Sequence, residues 1–433
     1  MTVVGKLRGT LYRRPLDAAT LLYDPPPSDA ERIAFQLEQL NEVWARAIAN
    51  CSYFGELARK RGLPQRFGSI EEFADVVPPT QREDVQRHMG AMTDSSRTPN
   101  MVRMTGGSTS KPVRIPAWKS ESDATRWEVW LGRTWYGVRP ESRLFLLWGH
   151  SHLLGTGWTG WLRARRRELS DRLLGYRRHS AYDVSAAAMR RAADALAEFR
   201  PDYVVGYSVA LDLLARANEG RGHLRELNVK AIFGTAEAFP DATSAARLQG
   251  LFGCPVGMEY GAVETGVMAH THPAGGYRVF WRHHLLEAAG SGPRRRLLVT
   301  SLFPRAFPLI RYEIGDEVVL PEAADESAGL TTLASVAGRC NDYVELSDGT
   351  LVHSEAFSHA VRPCSAIRSF QVIDRGSAVS IRFTSNQGLT SEEQSGITTR
   401  LARVHPQLGS AQFERSESLE QTVAGKTRMI VHI

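Results

Sequence analysis

The fold is decided by residues 203–253, which read YVVGYSVALDLLARANEGRGHLRELNVKAIFGTAEAFPDATSAARLQGLFG. Within this stretch, YVVGY (203–207) and VKAIFG (229–234) have the length and the β-branched content of buried strands. Apolar residues recur at helical spacing over 209–217 and again over 241–252, where the pattern ends at Gly253. Strands and helices that alternate in this way predict an α/β fold, with helices on the faces of a sheet.

The regions on either side differ in character. Residues 28–48 predict an amphipathic helix that begins with a capping box formed by Ser28 and Glu31. After Gly338 the pattern changes to a β-hairpin at 343–352, a helix at 354–361, two strands within 367–384, a helix at 391–404 and a terminal strand. We therefore predict a large N-terminal α/β domain with mixed sheets at 1–337 and a small, mobile C-terminal α+β domain at 338–433.

Composition limits the class of protein. At 433 residues the chain exceeds the size at which one hydrophobic core stops growing, and its 42% hydrophobic content is that of a globular protein. The formal charge of +6 includes arginine clusters at 163–167 and 294–296. No nucleic-acid recognition motif accompanies these clusters, so we expect no nucleic-acid partner.

Cysteine usage and hydropathy indicate the compartment. The four cysteines form no CxxC pair, the N-terminus lacks the apolar core of a signal peptide, and no run of eighteen apolar residues occurs. These features predict a cytoplasmic protein with no membrane partner.

The first segment with chemical character is a loop, Thr105-Gly106-Gly107-Ser108-Thr109-Ser110-Lys111-Pro112. Glycine and small hydroxyl residues let backbone amides and hydroxyls approach a polyphosphate closely, and Lys111 would neutralise its charge. The loop is not a Walker A motif, because no glycine precedes the lysine and proline follows it. Taken alone, it is equally well explained as a flexible Gly/Ser loop.

Four further segments are weaker individually. Glu264 lies among glycines in YGAVETG (260–266), where a carboxylate could bind Mg²⁺, and Asp316 ends RYEIGD (311–316), where a carboxylate could hold both hydroxyls of a ribose. Alone, Glu264 is better read as a surface glutamate and Asp316 equally well as a turn residue. GRCND (338–342) lies at the predicted domain boundary, and Lys426 follows Gly425 near the C-terminus.

In their order and spacing, these five segments resemble motifs of the adenylate-forming superfamily of acyl-CoA synthetases, peptide-synthetase adenylation domains and luciferases. TGGSTSKP is similar to TSGSTGKP, YGAVETG to YG-x-x-E-x-G, RYEIGD to RY-x-x-GD, GRCND to GR-x-DD, and the closing GKTR to the lysine motif of that superfamily. Within it, the chain looks most like the phenylacetate–CoA ligase family and the related CapK-type proteins. The resemblance spans nearly the whole chain.

The resemblance implies ATP-dependent activation of a carboxylate as an acyl-adenylate, with Mg²⁺ and then CoA as co-substrate. It assigns the phosphates of ATP to Thr105, Gly106, Gly107, Ser108, Thr109 and Lys111, and the adenine to Gly234, Ala236, Glu237 and Tyr260. It assigns Mg²⁺ to Glu264, the ribose to Asp316 and Arg339, and contact with the carboxylate and α-phosphate to Lys426. The small domain is expected to rotate so that a thiol can attack, and members of this family are often homodimers.

Departures from the family pattern concern the loop, the hinge and the substrate. Ser110 replaces a glycine, and Asn341 stands where a hinge aspartate is usual. Residues 147–170 differ from the phenylacetate ligases, so the acid cannot be carried over. We expect Trp148 and His150, with Gly261 and Ala262, to line an acyl pocket suited to a small aromatic or planar acid, although a packed Trp/His cluster explains the first two equally well.

Other readings remain open from the sequence. Cys254, His270, His272 and His283 could bind zinc, although a structural role is favoured because no second cysteine pair accompanies them. The acceptor could be a carrier-protein thiol, an amine or another small nucleophile such as nitrite instead of CoA. A catalytically silent homologue that acts as a binding protein is the remaining alternative.

Overall fold

A computed structural model of the protein describes residues 3–24, 26–104, 114–149, 157–322, 328–337, 343–361, 363–364, 366–376, 378–420 and 429–433. The described residues form twelve α-helices: α1 Val3–Leu21, α2 Asp29–Asn50, α3 Ser52–Arg61, α4 Ile70–Val76, α5 Arg82–His88, α6 Lys119–Thr134, α7 Gly157–Leu174, α8 Ala186–Phe199, α9 Ser208–Ala217, α10 Ser244–Phe252, α11 Ser354–Val361 and α12 Ser391–Ala402.

They also form twenty β-strands: β1 Met101–Met104, β2 Arg114–Ala117, β3 Leu144–Trp148, β4 Tyr176–Ser180, β5 Tyr203–Tyr207, β6 Ala231–Thr235, β7 Val256–Ala262, β8 Gly266–Thr271, β9 Tyr277–Val279, β10 His284–Ala289, β11 Arg295–Ser301, β12 Tyr312–Val319, β13 Thr332–Leu333, β14 Ser335–Ala337, β15 Tyr343–Glu345, β16 Leu351–His353, β17 Ser369–Asp374, β18 Val379–Thr384, β19 Gln412–Arg415 and β20 Ile430–His432.

The central sheet has eight strands in the order β13-β9-β8-β7-β6-β5-β3-β4 among the described residues. Its half from β4 to β7 is parallel, and the strands from β7 to β13 are antiparallel. A second, antiparallel sheet follows the order β10-β11-β12-β14. The prediction of an α/β fold with mixed sheets is therefore confirmed.

The stretch at 203–253 folds as its pattern predicts. β5 matches the predicted strand at 203–207, while β6 begins two residues after the predicted start at 229. The helix predicted from 241 begins only at Ser244. Asp241 Oδ1 accepts hydrogen bonds from the Thr243 amide at 2.8 Å and the Thr243 hydroxyl at 2.6 Å, and this local turn competes with the first helical turn.

The predicted helix at 28–48 is α2, and its capping box is formed. Ser28 Oγ accepts the Glu31 amide at 3.3 Å, and Glu31 Oε2 accepts the Ser28 amide at 3.0 Å. The helix extends two residues beyond the predicted end, to Asn50.

The C-terminal part has its own sheet and its own core. Strands β17 to β20 form a four-stranded sheet in the order β19-β18-β17-β20, and the hairpin of β15 and β16 turns at Gly349, which has a φ of +80°. The apolar side chains of this part pack together with Tyr182 from the N-terminal part. A smaller C-terminal unit after a large N-terminal one is thus observed, while the predicted boundary at 338 adjoins residues outside the described ranges and stays a prediction.

Candidate active site

Two of the predicted nucleotide-binding residues meet where the two large sheets approach each other. Tyr260 lies near the end of β7 and Asp316 in the middle of β12, and the Tyr260 hydroxyl donates a hydrogen bond to Asp316 Oδ2 at 3.1 Å. Burial of the phenol, followed by the negative charge of Asp316, raises the pKa of Tyr260 well above its usual range. The hydroxyl therefore stays protonated and keeps Asp316 in place.

Glu264 lies beside this pair, in the turn that connects β7 and β8. Its side chain is buried, and burial raises the pKa of the carboxyl group. The nearby charge of Asp316 raises the pKa further, whereas Arg82 and Arg305 lower it. Two carboxylates that influence each other in a partly buried site are a suitable set of oxygen ligands for a divalent cation.

A buried arginine supports the turn that carries Glu264. Arg305 donates from Nη2 to the carbonyl oxygen of Glu264 and from Nη1 to Ser301 Oγ, the latter at 3.1 Å. Its Nε lies 3.5 Å from Glu121 Oε2, and both side chains are fully buried. Burial lowers the pKa of Arg305 to about 10, although Glu121 opposes this effect, so the guanidinium remains charged at neutral pH.

Glu121 links this turn to the strand before the predicted phosphate loop. Its Oε1 accepts hydrogen bonds from the amides of Trp118 at 2.8 Å and Ala306 at 2.9 Å, and Arg103 of β1 lies 3.3 Å from its Oε2. The end of β1, where residues 105–113 begin, is therefore connected through Glu121 and Arg305 to Glu264.

Arg82 is a cation near Glu264 with unused hydrogen-bonding capacity. Its Nε and one Nη nitrogen are buried and have no hydrogen-bond partner among the described residues. Leaving buried donors unsatisfied is costly, and an anionic ligand would relieve that cost. The residue lies at the start of α5, just after Thr80, whose backbone bridges to Tyr312 of β12.

The predicted adenine-binding segment lies at the carboxyl end of β6, next to β7. A Cβ atom on Gly234 would lie only 2.6 Å from Met258 Sδ and from Ser208 Oγ, so the close packing there requires glycine. Ala236 has a φ of +70°, a strained conformation for a residue with a side chain. Ligands of open α/β sheets commonly bind at this edge, and the role of these residues in binding adenine stays a prediction.

Glu237 in this segment is buried and only partly satisfied. Its Oε1 accepts the Val209 amide at 3.1 Å and lies 3.3 Å from Nε2 of His353, whereas its Oε2 has no hydrogen-bond partner among the residues that the structure describes. His353 belongs to β16 in the C-terminal part, and its ring stacks on Tyr207 at a centroid distance of 5.0 Å. The C-terminal part therefore contributes a side chain to the predicted adenine-binding segment.

The predicted acyl-pocket residues are only partly described. Trp148 ends β3, and its ring lies 4.1 Å from that of Tyr207. Gly261 lies so close to the carbonyl of Gly266 that an added Cβ would be 2.1 Å from it, while the Ala262 amide donates to Thr265 Oγ1 at 3.0 Å. These residues lie at the carboxyl ends of β3 and β7, which belong to one sheet and are separated by β5 and β6, and their contact with substrate stays a prediction.

Several predicted residues lie outside the described ranges. These are the phosphate-loop residues Thr105, Gly106, Gly107, Ser108, Thr109 and Lys111, together with Ser110, His150, Arg339, Asn341 and Lys426. The roles proposed for them rest on the sequence.

The alternative zinc site is not formed. Cys254 packs in the apolar cluster beneath α8 to α10, whereas His270 lies among Trp135, Tyr136 and Phe233. Nδ1 of His283 lies 2.8 Å from Glu128 Oε1. His272 packs against Trp135. Within the described residues, which include all four candidates, no group of three or more His, Cys, Asp or Glu side chains could hold a metal ion. The four residues have separate packing and hydrogen-bonding roles in this structure.

Sequence reasoning missed Arg82, Glu121, Arg305 and His353. Arg305 carries a visible signal, since a charged residue inside the apolar run LFPRAFPLI must be paired if it is buried. Glu121 and His353 carry none, because their partners lie more than a hundred residues away in the chain.

The chain has the fold of the adenylate-forming acyl-CoA ligases, and the resemblance seen in its motifs is confirmed at that level. No protein-family model matches the sequence.

The proteins that the chain resembles include two whose similarity extends over most of its length. One is 2-hydroxyisobutyryl-CoA ligase, solved in an open conformation with 2-HIB-AMP and CoA, which is 18% identical with a TM-score of 0.56 over 93% of this chain and 92% of that chain. The same ligase in its postadenylation state with R3-HIB-AMP gives a TM-score of 0.55 at 16% identity, over 93% of this chain and 90% of that one. The second is Protein CapK of Staphylococcus aureus, 20% identical over 339 residues, which are 76% of this chain and 72% of CapK.

Proposed function

We propose that the protein is an AMP-forming ligase that uses ATP and Mg²⁺ to activate a small carboxylic acid as an acyl-adenylate, and then transfers the acyl group to CoA. One observation carries the proposal: Tyr260, Glu264 and Asp316, from two sequence motifs, lie near one another and near Arg82, whose buried donors have no hydrogen-bond partner among the described residues. A site in which carboxylates can bind a metal ion and an arginine can bind phosphate suits a metal–nucleotide complex.

In the first half-reaction, a carboxylate oxygen of the substrate attacks the α-phosphorus of ATP and pyrophosphate leaves. Glu264 would hold Mg²⁺, which neutralises phosphate charge when bound, and Thr105, Ser108, Thr109 and Lys111 would hold the β- and γ-phosphates. Asp316 and Arg339 would hold the ribose, and Gly234, Ala236, Glu237 and Tyr260 the base. Lys426 would bring the carboxylate and the α-phosphate together, so catalysis is positioning and charge neutralisation.

In the second half-reaction, a thiolate sulfur attacks the acyl carbon and AMP leaves. CoA is the acceptor we favour, because the similar ligase was solved with CoA bound. A small aromatic or otherwise planar acid is the substrate class we favour, since the rings of Trp148 and Tyr207 lie against each other at the carboxyl end of the parallel strands.

The proposal is tested by substrate-dependent exchange of pyrophosphate into ATP across a panel of acids, with mass detection of the acyl-adenylate. We expect exchange with at least one acid, and a loss of about a hundredfold or more in Glu264→Gln and Lys426→Ala. Arg82→Gln should mainly raise the KM for ATP. Glu56→Gln and Lys60→Ala, which remove an exposed pair on α3, are the matched controls.

The outcomes separate the alternatives. No exchange with any acid would favour a catalytically silent homologue that acts as a binding protein. Exchange that is unaffected by Glu264→Gln would contradict the proposed metal site. If the adenylate forms but no CoA thioester follows, product mass after adding a carrier protein, amines or nitrite identifies the acceptor.

A further inference from the structure

Exposed apolar side chains are concentrated on two helices. Of thirteen large hydrophobic residues that are exposed among the described residues, nine belong to α1, to the residue that follows it or to α7: Leu7, Leu11, Leu21, Leu22, Trp158, Trp161, Leu162, Leu169 and Leu173. The two helices contact each other. Large apolar side chains that are exposed together on two adjacent helices, and not scattered singly over the surface, are typical of an interaction surface.

The exposed residues of α7 share one face of the helix. Trp158, Trp161, Leu162, Leu169 and Leu173 are separated by three, one, seven and four positions, which places them on a single stripe. Trp158 is 71% exposed, and its ring stacks on Trp161 at 4.9 Å instead of packing into the core. The stripe is therefore left uncovered by the residues that the structure describes.

The same helices account for the net positive charge of the chain. α1 and α7 contain nine basic and three acidic residues, an excess of six that equals the formal charge of +6 for all 433 residues. The rest of the chain holds 44 basic and 44 acidic residues and is neutral by the same count. Arg165, Arg166 and Arg167 are exposed: Arg165 lies within the stripe and Arg166 at its edge, whereas Arg167 lies on the opposite side of the helix.

We propose that this basic apolar surface, formed by α1 and α7, binds the surface of an anionic lipid membrane. Tryptophan and leucine on one helical face, flanked by arginines, are the features with which amphipathic helices lie in the headgroup region of anionic bilayers. No described helix is both long and apolar enough to cross a membrane, so the contact is peripheral.

Charge decides between a lipid surface and a second copy of the chain. A symmetric dimer through this face would set the arginines of one copy against those of the other, and like charges facing each other oppose association. An anionic surface instead complements them. The sequence-based expectation of no membrane partner rested on the lack of a spanning segment, which does not bear on surface binding.

The test is flotation of the full chain with phosphatidylcholine vesicles and with vesicles that also contain phosphatidylglycerol. We expect binding only to the anionic vesicles, and weaker binding as salt increases. Two variants should each weaken binding about tenfold or more: the double variant Trp158→Ser/Trp161→Ser and the triple variant Arg165→Gln/Arg166→Gln/Arg167→Gln. Arg59→Gln/Lys60→Gln/Arg61→Gln removes an equal exposed charge from the last turn of α3 and should leave binding unchanged.

Several results would overturn the inference. These are no binding to either vesicle, equal binding to both, or equal weakening by the α3 control. A dimer that the tryptophan variant converts to a monomer, without vesicle binding, would assign the surface to a second copy. Thermal unfolding of each variant checks that the fold is retained, and the readout is independent of the proposed ligase activity.

Discussion

Among individual residues, Glu128 of α6 has a buried carboxyl group whose pKa is strongly shifted. Its Oε1 lies 2.8 Å from His283 Nδ1 and accepts from the Tyr23 hydroxyl at 3.5 Å, while its Oε2 is buried and has no hydrogen-bond partner in the described part of the chain. Burial raises the pKa of this carboxyl group from 4.5 to about 7, against the opposing effect of His283. Between these pH values the folded protein binds more protons than the unfolded chain.

We therefore predict that Glu128 lowers the free energy of unfolding as the pH rises. Its contribution is most favourable below pH 4.5 and is lost as the pH rises through about 7, by up to about 3 kcal/mol. Glu128→Gln removes the titration, so the difference in stability between variant and wild type should grow in favour of the variant from pH 5 to about 8. Urea unfolding at several pH values measures it, and a difference that stays constant across this range would contradict the assignment.

At the scale of elements, the turn between β7 and β8 depends on a charge pair supplied from elsewhere. Arg305 follows β11 and Glu121 lies in the first turn of α6, and together they hold the carbonyl of Glu264 and the amide of Ala306. Breaking one member of a buried pair leaves the other charge uncompensated, which costs more than removing both.

We predict that Glu121→Gln destabilises the protein by about 3 kcal/mol and that Arg305→Met in the same chain recovers part of this loss. A double-mutant cycle from urea unfolding measures the coupling, with the exposed pair of Glu56 and Lys60 as the reference, where coupling should be below about 0.5 kcal/mol. Additive losses at Glu121 and Arg305 would show that the two side chains act independently. The stability measurement does not depend on any catalytic activity.

Individual elements also show which parts of the structure can be predicted from the sequence. Periodicity and capping located α2, β5 and α11 almost to the residue, because local hydrogen bonds and apolar spacing determine them. The start of α10 was missed because a side-chain turn at Asp241 competes with the helix. The Arg305–Glu121 pair joins residues 184 positions apart, so only the folded chain reveals it. The motifs located Tyr260, Glu264 and Asp316, and the fold brought them together.

Across the whole molecule, the C-terminal part meets the N-terminal part at His353. Its backbone amide donates to the Tyr182 carbonyl at 2.9 Å, its ring stacks on Tyr207, and its Nε2 lies 3.3 Å from Glu237. Tyr182 in turn packs into the C-terminal core. The contact thus joins the hydrophobic core of the C-terminal part to the segment proposed to bind adenine.

We predict that His353→Ala loosens this contact without unfolding either part. Losing a stacked ring and a buried polar contact weakens the association by about 1–2 kcal/mol, which is about a tenfold increase in local opening. Hydrogen exchange should therefore speed up in β16 and around Tyr182, and remain unchanged in the pairing of β17 with β18. His405→Ala, which removes an exposed pair with Asp348, should alter neither region. Uniformly faster exchange throughout 343–433 would mean that His353 stabilises the C-terminal core itself, and no change at Tyr182 would mean that other contacts hold the two parts together.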